Sequence, residues 1–256
     1  EITTRLVGSE MCIRDRYCIY PSEGGPMIQT DGDANSMMLF LPPATYKILV
    51  FNYDAKNIDF RNMSRFDEAE AYILQTKATG QASQGITPLY GFVVDSLEIT
   101  PGQDKSGTLV LTPLVRHVTF TVQVDKPEEI KTCKGSLSGV STSLNLSKRK
   151  VVTEASTNVE FDMETSDKGV NGDLIILGTA LPKEEEQKPV TNQVTINFTL
   201  SDGSMVSATA DLEDKLNEID TPHVNVTINA TVEKSPKFTI RLTNWEVGPG
   251  EETTIE

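Results

Sequence analysis

The sequence predicts an all-β protein made of two β-sandwich domains in tandem. Three observations lead there. Apolar and polar residues alternate with a period of two in separate segments, as in Val118, Phe120, Val122 and Val124, or Val194, Ile196, Phe198 and Leu200. Gly, Pro, Asn and Asp clusters separate such segments at intervals of roughly 8–15 residues, as in sandwiches. The chain has 256 residues, of which 38% are hydrophobic. That is enough for two domains with cores of their own, predicted at 17–113 and 114–256.

The first domain is organised around Leu41-Pro-Pro-Ala-Thr-Tyr-Lys-Ile-Leu-Val-Phe-Asn52. The two prolines restrict φ and remove two backbone donors, so the chain turns there. In the strand that follows, Tyr46, Ile48 and Val50 share one face, and Lys47, Leu49 and Phe51 the other. Apolar residues on both faces predict a central strand covered on both sides.

Residues 1–16 show neither strand alternation nor helical spacing and are set apart as non-native or disordered. The string Val7-Gly-Ser-Glu-Met-Cys-Ile-Arg-Asp-Arg16 resembles translated sequencing-adapter read-through. On that reading the chain is a fragment, with its first strand truncated and its native start missing. Tyr17–Tyr20 reads as the remains of that strand. Residues 21–35 read as a loop, Met37–Leu41 as a short strand, and Asn52–Asn57 as a turn. Phe66–Leu74 fits either one short helix or an irregular strand. Thr76–Thr87 reads as a polar loop. Leu89–Val94, Ser96–Thr100 and Thr108–Thr112 are expected strands, and Pro113 is the expected boundary because proline cannot donate to a ladder.

In the second domain, Val118–Val124 should bury one face and wet the other, with His117, Thr119, Thr121 and Gln123 outward. Gly135-Ser-Leu-Ser-Gly139 reads as a turn or bulge. Ser143–Leu146, Asn158–Thr165 and Asp173–Gly178 read as strands. The Lys-Glu-Glu-Glu-Gln-Lys run within 182–189 reads as a solvated loop tip. Val194–Leu200 meets the hairpin signal Ser201-Asp-Gly203. Asp211 is a candidate N-cap for a helical turn ending near Asn217. Val224–Val232 and Phe238–Leu242 close the series before Trp245.

Net charge is −14. Neither half is basic, which excludes a phosphate-binding nucleic-acid face and a polybasic membrane patch. No stretch of 18 apolar residues suggests a membrane helix, and residues 1–16 lack the apolar core of a signal peptide.

Chemistry-bearing patterns are sparse, and no catalytic, cofactor-binding or metal site is expected. His117 and His223 are far apart in sequence and read as strand-surface residues; zinc would want closely spaced ligands. Cys18 and Cys133, placed in different domains, read as free thiols, since pairing needs Cα atoms within about 7 Å. Gly135–Gly139 has Leu137 at the position a nucleophile elbow gives to Ser. Asp31-Gly-Asp33-Ala-Asn35 opens like a calcium loop. Ser36 replaces the required Gly and Pro42 the closing Glu, so an Asx-rich turn is expected. Trp245 reads as a core or rim aromatic, with a sugar-stacking platform as the alternative. Glu128–Glu129 reads as surface charge, because nothing sets two carboxylates across a cleft. The Asn-x-Ser/Thr triplets at Asn62, Asn145, Asn197, Asn225 and Asn229 read as strand composition.

Several ordered segments resemble the fimbrillin-associated anchor and tip proteins of Bacteroidota, within the fimbrillin superfamily. In the first half these are Tyr20-Pro21 with the Glu23-Gly-Gly25 loop, Leu41–Asn52, Phe60-Arg-Asn-Met63 and Leu89-Tyr-Gly91. In the second they are Thr108–Thr112, Val118–Val124, Gly135–Gly139 and Leu144-Asn-Leu146. Asp95-Ser96-Leu97 is similar to a short O-glycosylation signal of Bacteroidota export proteins. The resemblance covers 17–256 and implies two transthyretin-like β-sandwiches. It implies a non-catalytic structural protein of the cell surface: a fimbrial anchor, tip or adhesion subunit. Such a protein would meet other fimbrial subunits by donor-strand exchange, in which one chain's strand completes a neighbour's sheet. It also implies an outer-membrane lipoprotein in the intact protein. Cys18 has no apolar stretch before it and is not the lipidated residue. The alternative is a surface carbohydrate-binding β-sandwich module resting on Trp245 and Tyr53. A hydrolase ranks last, with no residues to nominate.

Overall fold

A computed structural model describes residues 14–33, 37–74, 85–180, 192–212, 215–218, 221–234 and 238–250. Nearly every described element is a strand. One five-stranded antiparallel sheet comes from the first half: β1 (Arg14–Pro21), β2 (Ile28–Asp33), β3 (Ala44–Asn52), β6 (Tyr90–Ile99) and β7 (Thr112–Pro113). Its order is β2-β1-β3-β6-β7, so β3 is central, flanked by β1 and β6. β3 is covered on both faces, as its sequence predicts. Tyr46, Ile48 and Val50 join Tyr17, Ile19 and Leu111 in an outer cluster. Leu49 and Phe51 join Cys18 and Tyr20 in the main core. Burying each such side chain is worth about 1.5–3 kcal/mol.

Two predicted strands are absent because their alternation has another cause. In Met37–Leu41, Met37, Leu39 and Leu41 pack on the outer cluster, while Met38 and Phe40 are exposed. Only Met37 has bridge geometry. In Thr108–Thr112, Leu109 and Leu111 pack inward and Val110 is exposed, and only Thr112 reaches a ladder. Both segments lie over a sheet face rather than beside a strand, and a face selects alternation as a neighbour does. Conversely, the expected loop 21–35 contains β2. Its polar residues pair along β1 from Ile19↔Ile28 to Arg14↔Asp33, so tertiary pairing overrides weak propensity. β1 itself begins at Arg14, so the last three residues of the 1–16 stretch are strand; residues 1–13 lie outside the described residues.

The expected strands 89–94 and 96–100 are one strand, β6. Its pairing with β3 slips between Val94 and Leu97, opposite Ile48 and Tyr46. The bulge at Asp95-Ser96 returns Leu97 and Ile99 to the face of Phe92 and Val94, which breaks the alternation in the sequence. Phe66–Leu74 contains both elements considered: a 3-10 turn at Phe66–Glu68, then β5 (Glu70–Ile73).

The second sheet has the order β13-β12-β9-β10-β11-β8-β14-β15. Its strands are β8 (Arg116–Val124), β9 (Ile130–Asn145), β10 (Lys150–Ser166), β11 (Gly169–Ile176), β12 (Gln193–Leu200), β13 (Met205–Asp211), β14 (His223–Lys234) and β15 (Phe238–Pro249). β10 pairs with β9 over Lys150–Met163 and with β11 over Glu164–Ser166, so it turns the sheet around the core. β13 and β15, the two ends of the order, lie against each other. The hairpin of β4 (Ile58–Arg61) and β5 joins this sheet where β5 pairs with β9, from Glu70↔Asn145 to Tyr72↔Ser143. The main core therefore draws on both halves: Leu49, Phe51, Ala71 and Leu89 belong to one cluster with Phe120, Leu137, Ile196 and Val226.

Val118, Phe120, Val122 and Val124 are buried, as are Val194, Ile196, Phe198 and Leu200. The hairpin at Ser201–Gly203 is present, with Gly203 at φ 83°. Gly135–Gly139 lies in the middle of β9, with Gly135 opposite Phe161, and holds the expected bulge: the pairing with β10 slips between Leu137 and Val140, where Gly139 has φ 72°. Other local readings change. Asp211 closes β13, and the short helix α1 is Lys215–Glu218. The remaining second-half strands are longer than expected, because polar Ser and Thr positions on them are paired. The acidic run within 182–189 and most of the 76–87 loop lie outside the described residues.

Candidate functional site

The feature of the fold most open to chemistry is a length of backbone. β6 is ten residues long, but β7 reaches only Tyr90 and Gly91. From Phe92 to Ile99, β6 has β3 on one side and, among the described residues, no strand on the other. Every second residue of such an edge directs its N–H and C=O away from the sheet. Phe92, Val94, Leu97 and Ile99 flank that edge half-buried, and Asp95, Ser96 and Glu98 are exposed. Bulges and edge charges suppress indiscriminate pairing, while leaving the backbone competent for a partner that fits. Asp95 and Ser96 thus shape an edge, a role their sequence does not announce.

Elsewhere the polar side chains hold structure. Asp31 is in β2, and its carboxylate accepts a forked pair from Arg16, Nε to Oδ1 at 2.8 Å and Nη2 to Oδ2 at 3.0 Å. That bond holds the carboxyl below its ordinary value. The expected Asx-rich turn is not found at Asp31–Asp33, which is strand because it pairs with β1; residues 34–36 lie outside the described residues. Among the described residues, no group of three or more His, Cys, Asp or Glu side chains is arranged to hold a metal. Cys18 and Cys133 are free and buried in the same core, and burial pushes their thiols up to about 11 and about 12. Burial also raises Tyr20, whose hydroxyl donates to the Met63 carbonyl at 2.8 Å. Asn145 is buried and donates to the Asp67 carbonyl, and Glu129 accepts from Ser201.

The two histidines, read as separate surface residues, are neighbours. β14 runs parallel to β8 with His223 opposite His117, and the ring centroids are 5.5 Å apart. His117 Nε2 lies 3.1 Å from Asp173 Oδ1, which also accepts from Thr119 Oγ1 at 2.7 Å. A parallel pairing joins segments a hundred residues apart, and no local pattern marks it. The proposed sugar platforms are both covered by cations. Lys215 Nζ lies 4.4 Å from the Trp245 ring centre and the Arg16 guanidinium 4.3 Å from that of Tyr53. Trp245 is part-buried against the core, a rim aromatic.

An open sheet edge on an all-β core, with described polar side chains engaged within the fold, defines a β-sandwich scaffold. The chain belongs to the family described as domain of unknown function DUF5119, whose profile matches residues 11–162. A Bacteroides ovatus protein that carries the name fimbrium anchoring subunit Fim4B is 25% identical over 166 residues, 60% of this chain and 48% of its own. The chain thus spans about half the length of that curated relative. Two solved structures show the same fold. A Bacteroides ovatus protein described as an adhesin has a TM-score of 0.66 at 19% identity, over 95% of this chain and 92% of its own. The fimbrial anchor protein Mfa2 of Porphyromonas gingivalis has a TM-score of 0.59 at 12% identity, over 97% of both chains.

Proposed function

We propose that this protein is a non-catalytic structural subunit of the cell surface, of the fimbrial anchor, tip or adhesion kind. In this reading it meets other fimbrial subunits by strand addition at the open β6 edge. The observation that carries it is the length of β6 that, among the described residues, has no second neighbour between Phe92 and Ile99. Main-chain hydrogen bonds to that edge would supply affinity, and alternate side chains would supply selectivity. The name of the fimbrium anchoring relative supports the same reading. Two sandwich domains, 17–113 and 114–256, and lipid attachment of the intact protein to the outer membrane complete the proposal.

The test is a photo-crosslinking residue at Ser96, on the edge, with one at Asp202, on the β12–β13 hairpin, as control. In cells that assemble fimbriae, position 96 should capture a fimbrial subunit and position 202 should not. Equal capture at both positions, or none at 96, would overturn the edge assignment.

A further inference from the structure

We infer that a cavity where the two sheets meet binds a small amphipathic anion, an apolar body carrying a carboxylate or phosphate group. The cavity has a volume of about 750 Å³ and lies between β7, the β9–β10 turn and the start of β14. That volume falls within the roughly 300–1,000 Å³ of small-molecule sites. Leu114, Val115 and Val151 are among its apolar lining, and Arg116, Arg149 and Lys150 are its charged residues. Among the described residues no Asp or Glu lines it, although the chain holds 37 acidic residues against 23 basic ones. A lining whose described charges are all positive, in an acidic protein, selects for negative charge, and its apolar walls suit an apolar body.

Arg149 supplies an independent observation. It ends the turn between β9 and β10 at φ 55°, a left-handed conformation that Gly or Asn adopts with less strain. Backbone strain of this kind concentrates at ligand clamps. From that position the Arg149 guanidinium crosses to the first sheet and donates to Thr112 Oγ1, at the cavity wall. Arg116 donates to the Leu216 carbonyl, which fixes its orientation. Neither Arg149 nor Lys150 forms an ion pair among the described residues. Planar guanidinium groups suit the two-oxygen face of a carboxylate or phosphate. This site is remote in role from the β6 edge and stands whether or not that edge recruits a partner.

The probe is anilinonaphthalene sulfonate, whose fluorescence rises when it leaves water, titrated into the full chain at low salt. Decanoate, decyl phosphate and decanol then compete for it. Saturable binding of one probe per chain is expected. One of the two anions should displace it at least tenfold better than decanol, and the stronger of them identifies the head group. Lys150→Gln removes an exposed charge and should leave the fold intact by circular dichroism while weakening the probe at least fivefold. Arg149→Asn should weaken it similarly, while placing a residue better suited to the left-handed backbone. Decanol competing as well as both anions would overturn the proposal. So would non-saturable binding, or wild-type affinity in both folded variants.

Discussion

Substituting Gly135 by Ala should destabilise the protein, although the same change in an ordinary strand is stabilising. Gly135 lies in β9 opposite Phe161 of β10. A Cβ at this position would sit 2.3, 2.5 and 2.8 Å from three atoms of the Phe161 ring, inside any real contact. The ring cannot simply withdraw. It stacks on Phe120 at 4.8 Å, and Phe120 is fully buried. On β11, Gly172 approaches the same ring, since a Cβ there would lie 3.0 Å from it. Adding a methyl to a packed core costs about 1–3 kcal/mol. Replacing Gly by Ala returns about 0.5–1 kcal/mol through the unfolded chain. The net expectation is a loss of about 1–2 kcal/mol, or about 2–8 °C in Tm for a chain of this size. Urea unfolding followed by the single Trp245 measures it, with Gly107→Ala, where a Cβ meets nothing within 4 Å, as the reference. Adding Phe161→Leu to Gly135→Ala should cost less than the two single losses together, because the clash is shared. If Gly135→Ala is as stable as Gly107→Ala, the packing of β9 against β10 is not as described.

Two further predictions concern ionisable groups. In a Cys12→Ser background, Cys18 and Cys133 should resist Ellman's reagent at pH 8 and react in concentrated urea, because both are buried and protonated. Raised thiol values also mean that the native state holds these protons longer than the unfolded chain. Their contribution is therefore intact below the free value of 9.0 and is lost as pH climbs towards about 11 and about 12, visible as a falling Tm. Asp31 has the opposite sign. Its lowered value gives a contribution present above the ordinary carboxylate range and lost as pH falls through the lowered one. The Arg16–Asp31 pair is partly exposed, so Asp31→Asn should cost no more than about 1 kcal/mol at pH 7, and the variant should lose less stability than wild type on acidification.

The sequence by itself determined the all-β class and the strands with a strict environment. β3 has apolar residues on both faces and is buried on both; β8, β12 and β14 alternate, and their apolar residues are inside. Those properties are local, since each side chain reports its own surroundings. The tertiary structure decided what each segment pairs with. Alternation at Met37–Leu41 and Thr108–Thr112 is real, yet it answers to a sheet face beneath and not to a strand beside. The polar β2 is a strand only because β1 is there to pair with it. The parallel register of β14 on β8 joins His117 to His223, and no spacing in the chain foretells it. Sheet edges and cavities are fixed by what is not adjacent. The open side of β6 and the cation-lined cavity around Arg149 therefore follow from backbone pairing between distant segments, which side-chain pattern does not encode.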